Sequence, residues 1–205
     1  MSEGDRHRFT AEEALARLKD GNARFVRGEA RFPTVQKEVL ASLARGQQPY
    51  ATILGCSDSR VPPELVFDAG FGELFIIRLA GNVLSPEVAG TMQYAGTHLK
   101  TPLFVVLGHE GCGAVKAALD VKFRGARDRS RIEELLQNIL PALDGVDPEL
   151  APEELERAAV EANVRWTLGR ILATPEAQAR EAEGILKLFG AVYDLATGAV
   201  RFLDP

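Results

Sequence analysis

Cysteine is nearly absent from this chain: 205 residues carry two, Cys56 and Cys112, beside three histidines, two methionines and one tryptophan. So few thiols exclude a disulfide scaffold, and in a reducing compartment two of them point to metal binding or catalysis. Basic charge is also short. Lys and Arg number 24 against 29 Asp and Glu, a net charge of -5, which excludes an extended nucleic-acid surface. No apolar run approaches the ~20 residues of a membrane span. Met1 to Arg8 is polar and lacks a signal-peptide core. A cytoplasmic protein is therefore expected, with neither nucleic acid nor membrane as partner. Repeats and low-complexity tracts are missing too. What remains is 46% hydrophobic and 26% charged, an ordinary globular composition that is long enough for one core.

Four short apolar runs read as strands buried on both faces: Tyr50 to Gly55, Glu73 to Leu79, Pro102 to Gly108 and Leu188 to Leu195. A fifth, Ala199 to Leu203, follows Thr197-Gly198 and completes a hairpin. Helical stretches are expected from Thr10 to Val26 and from Thr34 to Arg45. Others fit Pro86 to Leu99, Gly113 to Val121, Ser130 to Leu143, Pro152 to Ala173, and Thr174 to about Lys187. Thr10 and Glu13 form a capping box, with Phe9 and Ala14 placed for a hydrophobic staple. This alternation predicts an α/β fold: a mainly parallel five-stranded sheet, the last strand antiparallel, flanked by helices. A single domain is expected. Residues 1–45 form an N-terminal helical arm, 46–120 and 185–205 a sheet core, and 121–184 a helical region. The basic stretch Lys122 to Arg131 and the acidic one Asp144 to Glu156 read as solvated surface.

The chemistry-bearing residues gather at strand ends. Cys56 ends the first strand, in Gly55-Cys56-Ser57-Asp58-Ser59-Arg60. His109 and Cys112 follow the third, in Gly108-His109-Glu110-Gly111-Cys112-Gly113. Open α/β sheets bind ligands beyond the carboxyl ends of strands, where strand order reverses. Two thiolates and an imidazole suit Zn²⁺, and three protein ligands leave a fourth position for chemistry. Such a site has zero formal charge and acidifies water less than an all-His site would. Asp58 and Arg60 can help. In an extended segment, residues i, i+2 and i+4 share a side with Cys56. Asp58 would then orient a bound water, with Arg60 holding it ionised, or would itself take the fourth metal position. Structural cysteines and a turn with an ion pair are the plain alternatives. A redox pair lacks its Cys-x-x-Cys.

These motifs resemble those of the β-class carbonic anhydrases. Cys56-Ser57-Asp58-Ser59-Arg60-Val61-Pro62-Pro63-Glu64 and Gly108-His109-x-x-Cys112-Gly113 are similar to the family's two zinc motifs. The likeness extends to Gly21-Asn22-x-Arg24-Phe25, Gly72 to Phe75, Arg78-x-Ala80-Gly81-Asn82, Tyr94, Asn163-Val164 and Gly190 to Asp194. The resemblance implies a zinc lyase, a carbonic anhydrase that interconverts CO2 and bicarbonate through zinc-bound hydroxide. One Zn²⁺ per subunit would be held by Cys56, His109 and Cys112, with Asp58 as a dyad partner of Arg60 or as a further ligand. Gln47, Phe75, Ala80, Tyr94 and Gly113 would bind substrate. A homodimer or dimer of dimers is implied, its N-terminal helices wrapping the partner and its pocket at the subunit interface.

The chain departs from the family at several positions. Ile53 stands where bicarbonate-inhibited members carry Trp, and Leu79 replaces the usual Asn after Arg78. Glu110 sits where Ser is commoner and is expected to face solvent rather than shuttle protons. Arg124 to Glu156 matches no motif. Two other functions compete: a sister hydrolase for COS or CS2, and a non-enzymatic zinc-stabilised α/β module.

Overall fold

The computed structural model describes residues 9–31, 37–127, 130–184 and 187–204. Five strands form one sheet: β1 (Ala51–Gly55), β2 (Leu74–Arg78), β3 (Leu103–His109), β4 (Lys187–Tyr193) and β5 (Val200–Phe202). Their order is β2-β1-β3-β4-β5. The first four are parallel, and β5 returns antiparallel beside β4. Every residue of β1 and β3 is buried, which is why both read as unbroken apolar runs.

Helices cover both faces. One face carries α4 (Pro86–Tyr94), α5 (Gly113–Arg124) and α7 (Pro152–Leu172). Their core residues Met92, Val115, Ala118, Val160 and Val164 pack with Leu54, Phe104 and Val106. The other face carries α1 (Ala11–Val26) and α3 (Pro63–Val66). Ala14, Leu18 and Val66 pack there with Ile53, Val105 and Leu107. Burying one such Leu stabilises by about 1.5–3 kcal/mol.

The first helix is fixed at both ends of its sequence logic. The Thr10–Glu13 capping box is present, although the Phe9 ring packs on Tyr50, with centroids 5.5 Å apart. Gly21 lets α1 touch the end of α3, since a Cβ there would lie 1.9 Å from the carbonyl oxygen of Phe67, the C-cap of α3. Asn22 is buried and donates to the carbonyls of Val66 and Gly198 at 3.1 and 2.8 Å, while its oxygen accepts from Val200 N–H at 2.8 Å. Arg24 reaches the buried Asp68 carboxylate at 2.6 Å.

Three helices end earlier than the periodicity suggests. The stretch expected over Ser130 to Leu143 is α6 (Arg131–Leu136) followed by a 3-10 turn, Leu140–Gly145. Pro141 has no N–H to continue an α-helix. The one expected from Pro86 to Leu99 changes to a π-helical turn over Ala95–Leu99, closed by Lys100 at φ 55. The last helix, α8 (Pro175–Ala182), does not run to Lys187: Gly184 at φ 68 stops it, and Lys187 opens β4. Helix α2 (Lys37–Leu43) buries none of its residues. The start of that stretch, residues 34–36, lies outside the described residues. No helix among the described residues is long and apolar enough to cross a membrane.

Candidate metal centre

The chain leaves β1 for β2 on one side and later places β3 on the other. Strand order therefore reverses between β1 and β3, and their carboxyl ends open the crevice that α/β folds use for ligands. The parallel register pairs Gly55 with Leu107. Cys56, one residue beyond, and His109, two beyond, thus arrive at one level. Gly111 at φ 63 turns the chain, and Cys112 becomes the N-cap of α5. The result is a cluster of Cys56 Sγ, a His109 ring nitrogen and Cys112 Sγ within 4.8 Å of one another, all buried.

Hydrogen bonds prepare each donor. His109 Nδ1 lies 2.9 Å from the Glu110 carbonyl oxygen, which can only accept. That fixes the proton on Nδ1 and leaves the Nε2 lone pair free. Nε2 is fully buried and has no partner of its own. An orphaned imidazole nitrogen facing two thiols is a donor set that fits Zn²⁺. The two thiols are linked. The Cys112 hydrogen bond, with smaller help from His109 and the Gly81 N–H, pulls the Cys56 thiol well below its usual range. The same bond to Cys56, followed by burial, pushes Cys112 up, and the Ala114 and Val115 N–H groups at the start of α5 oppose that rise without overcoming it. A divalent cation held by both sulfurs would take the place of the shared proton and favour both thiolates.

Asp58 stands beside the cluster, its Oδ2 3.9 Å from His109 Nε2. Arg60 grips it side-on: Nε meets Oδ1 at 2.9 Å, Nη2 meets Oδ2 at 2.7 Å, and the Arg60 N–H adds a third bond at 2.9 Å. The guanidinium is the main reason that the Asp58 carboxyl lies well below the usual carboxylate range.

Comparison with known proteins agrees with this geometry. The carbonic anhydrase family matches residues 51–200. Carbonic anhydrase 2 of Mycobacterium tuberculosis is 39% identical over 192 residues, covering 91% of this chain and 90% of that protein. The chain belongs to the β-class carbonic anhydrases. Among solved members of this enzyme family, the Coccomyxa β-carbonic anhydrase in complex with acetazolamide superposes with a TM-score of 0.74. It shares 28% identity over 92% of this chain and 86% of that one. A tetrameric β-carbonic anhydrase of Sordaria macrospora shares the fold, with a TM-score of 0.75 at 23% identity over 95% and 96% of the two chains.

The other residues expected at the site of this β-carbonic anhydrase fall in three places. Ala80 and Gly113 flank the cluster: Ala80 opens the 3-10 turn that carries Gly81, and Gly113 follows Cys112. Phe75 and Tyr94 lie together along the edge strand, ring centroids 6.2 Å apart, with Tyr94 48% exposed. Gln47 is exposed and precedes the amino end of β1, whose five residues span about 16 Å before Cys56. One chain does not bring Gln47 to its own cluster.

Three residues hold the site that motif reading had given no role. Arg78 donates from Nε to the Cys56 carbonyl at 2.8 Å and from Nη2 to the Asp58 carbonyl at 2.6 Å. Gly81, at φ 70, aims its N–H at Cys56 Sγ from 3.4 Å. Asn163, buried on α7, donates to the Gly81 carbonyl at 2.8 Å. A signal existed for the first: an arginine closing an otherwise apolar strand, Leu74–Arg78, needs a partner.

Proposed function

We propose that the chain catalyses the reversible hydration of CO2 to bicarbonate and a proton, with one Zn²⁺ held by Cys56, His109 and Cys112. The observation that carries this reading is the buried, orphaned Nε2 of His109 in a cluster with two cysteine thiols, with an ionised carboxylate 3.9 Å away. A bound Zn²⁺ supplies Lewis acidity and brings the ionisation of water toward neutral pH. The remaining work belongs to the protein's own groups. The Glu110 carbonyl holds the His109 proton on Nδ1. Asp58, ionised in the Arg60 fork, can only accept, so a water or bicarbonate hydroxyl beside it must donate its proton to this carboxylate. That orients an oxygen lone pair away from Asp58, toward the carbon to be attacked.

Phe75 and Tyr94 supply an apolar wall suited to CO2. Gln47, too far from the cluster of its own chain, would serve the cluster of a second copy. Helix α2, which buries none of its residues and leaves Val39 and Leu40 42% and 50% accessible, favours such an assembly. Both oxygens of Asp58 being taken by Arg60 favours the orienting role over metal ligation.

Stopped-flow CO2 hydration with metal analysis on the purified chain tests the proposal. Zinc near one per chain and rapid hydration are expected. Zinc-loaded protein that leaves CO2 unchanged but turns over COS would overturn it. Asp58→Ala is expected to retain zinc and lose turnover at neutral pH, and unchanged kinetics would remove Asp58 from the mechanism.

A further inference from the structure

A cavity of about 310 Å³ lies between α4, the corner joining α7 to α8, and the start of β3. Leu84, Ala89, Met92, Phe104, Ile171 and Ala177 line it, and Arg180 joins them. Phe104 precedes His109 by five positions on β3, so this space is about 16 Å from the metal centre along the strand.

Two nitrogens of Arg180, Nε and Nη2, are buried and have no hydrogen-bond partner among the described residues. They share one edge of the guanidinium plane, the edge that takes a carboxylate side-on through two parallel bonds. Arg60 uses that same pair of nitrogens on Asp58, at 2.9 and 2.7 Å. Arg180 presents the identical fork without an acceptor. The acid one turn before it, Glu176, instead has Oε1 3.5 Å from Gln93 Nε2, across from α8 to α4. Gly96 makes room for the guanidinium: a Cβ there would lie 3.3 Å from Nε.

The chemistry of an occupant follows. Its charged end must be a planar acceptor pair matching a single fork, and the rest must be hydrocarbon to cover the apolar wall. A phosphate or sulfate brings more charge than one fork neutralises. Bicarbonate satisfies the fork but leaves the wall uncovered. We propose that this cavity binds a small monocarboxylic acid, its carboxylate on the Nε–Nη2 edge of Arg180 and its hydrocarbon against Met92, Phe104 and Ile171.

Calorimetric titration of the zinc-loaded chain with hexanoate tests this, with hexanol and bicarbonate as separate arms. Saturable hexanoate binding is expected, with hexanol and bicarbonate weaker by about tenfold or more. Arg180→Met should weaken hexanoate by about tenfold to a hundredfold and leave hexanol unchanged. Ala89→Leu, which fills the cavity from α4, should weaken hexanoate and hexanol together. A bound cation also attracts carboxylates, so the Arg180 arm decides where hexanoate sits. Arg180→Lys keeps the charge without the fork and replaces the Met variant if that does not fold. Hexanoate binding unaffected by Arg180 substitution overturns the proposal, as does bicarbonate binding as tightly as hexanoate. No binding at concentrations on the order of 10 mM also overturns it. So does dissociation of the native oligomer by Arg180→Met, which would assign the fork to a carboxylate of a neighbouring copy.

Discussion

The two loops that supply the Cys56–His109–Cys112 cluster are stabilised in different ways. The His109–Cys112 loop is largely self-contained. It continues β3 into α5, the His109 ring bonds the carbonyl of the next residue, and the Glu110 N–H donates to Tyr193 on the adjacent strand. The Cys56–Arg60 loop is held from outside. Arg78 clasps two of its carbonyls, Gly81 approaches its sulfur, and Asn163 supports Gly81 from α7. A loop that satisfies itself tolerates change elsewhere. A loop held by remote side chains transmits any defect in them to the metal donors.

The largest effect sharpens what the loops share. Cys112→Ala removes one of three donors, and zinc content is expected to fall from about one per chain toward zero, with activity lost. Stoichiometric, tightly held zinc in this variant would refute the donor assignment. Next comes the clasp. Arg78→Met should keep the protein folded but lower kcat/KM by about 10–100-fold, because two carbonyls of the first loop lose their donor. Equal activity in wild type and variant would show that the first loop also stands alone. Asn163→Ala removes one buried hydrogen bond to Gly81, and denaturant unfolding should record a loss of about 1–3 kcal/mol. The smallest effect belongs to the self-contained loop. Glu110→Gln breaks only a half-exposed ion pair with Arg157 at 3.6 Å, so stability should move by no more than about 0.5 kcal/mol and kcat/KM should hold. A large fall in turnover there would reverse the contrast and give Glu110 a part in proton transfer.

The same contrast explains what could be read from the sequence. The second loop was legible because its parts are contiguous: an apolar strand, a turn glycine and a cysteine that starts a helix. The first loop was legible as a motif, but its supports lie elsewhere along the chain, and Asn163 looks in sequence like any polar residue on a helix. The sheet was readable because strands buried on both faces leave unbroken apolar runs, whereas the strand order β2-β1-β3-β4-β5 came only with the structure. Helix ends were less so. Pro141 and Gly184 carried stop signals that apolar periodicity overran. Gln47 could be matched to a family position, yet its distance from the cluster of its own chain appears only once β1 stands between them.

Asn22 has a consequence for biosynthesis. Its amide bonds Gly198 and Val200, residues 176 and 178 positions later in the chain. At about 5–20 residues per second of translation, α1 emerges roughly 9–35 s before the turn that completes its seat. During that interval Asn22 has only the Val66 carbonyl to bond, and a nascent chain cut short of Gly198 leaves its other two partners missing.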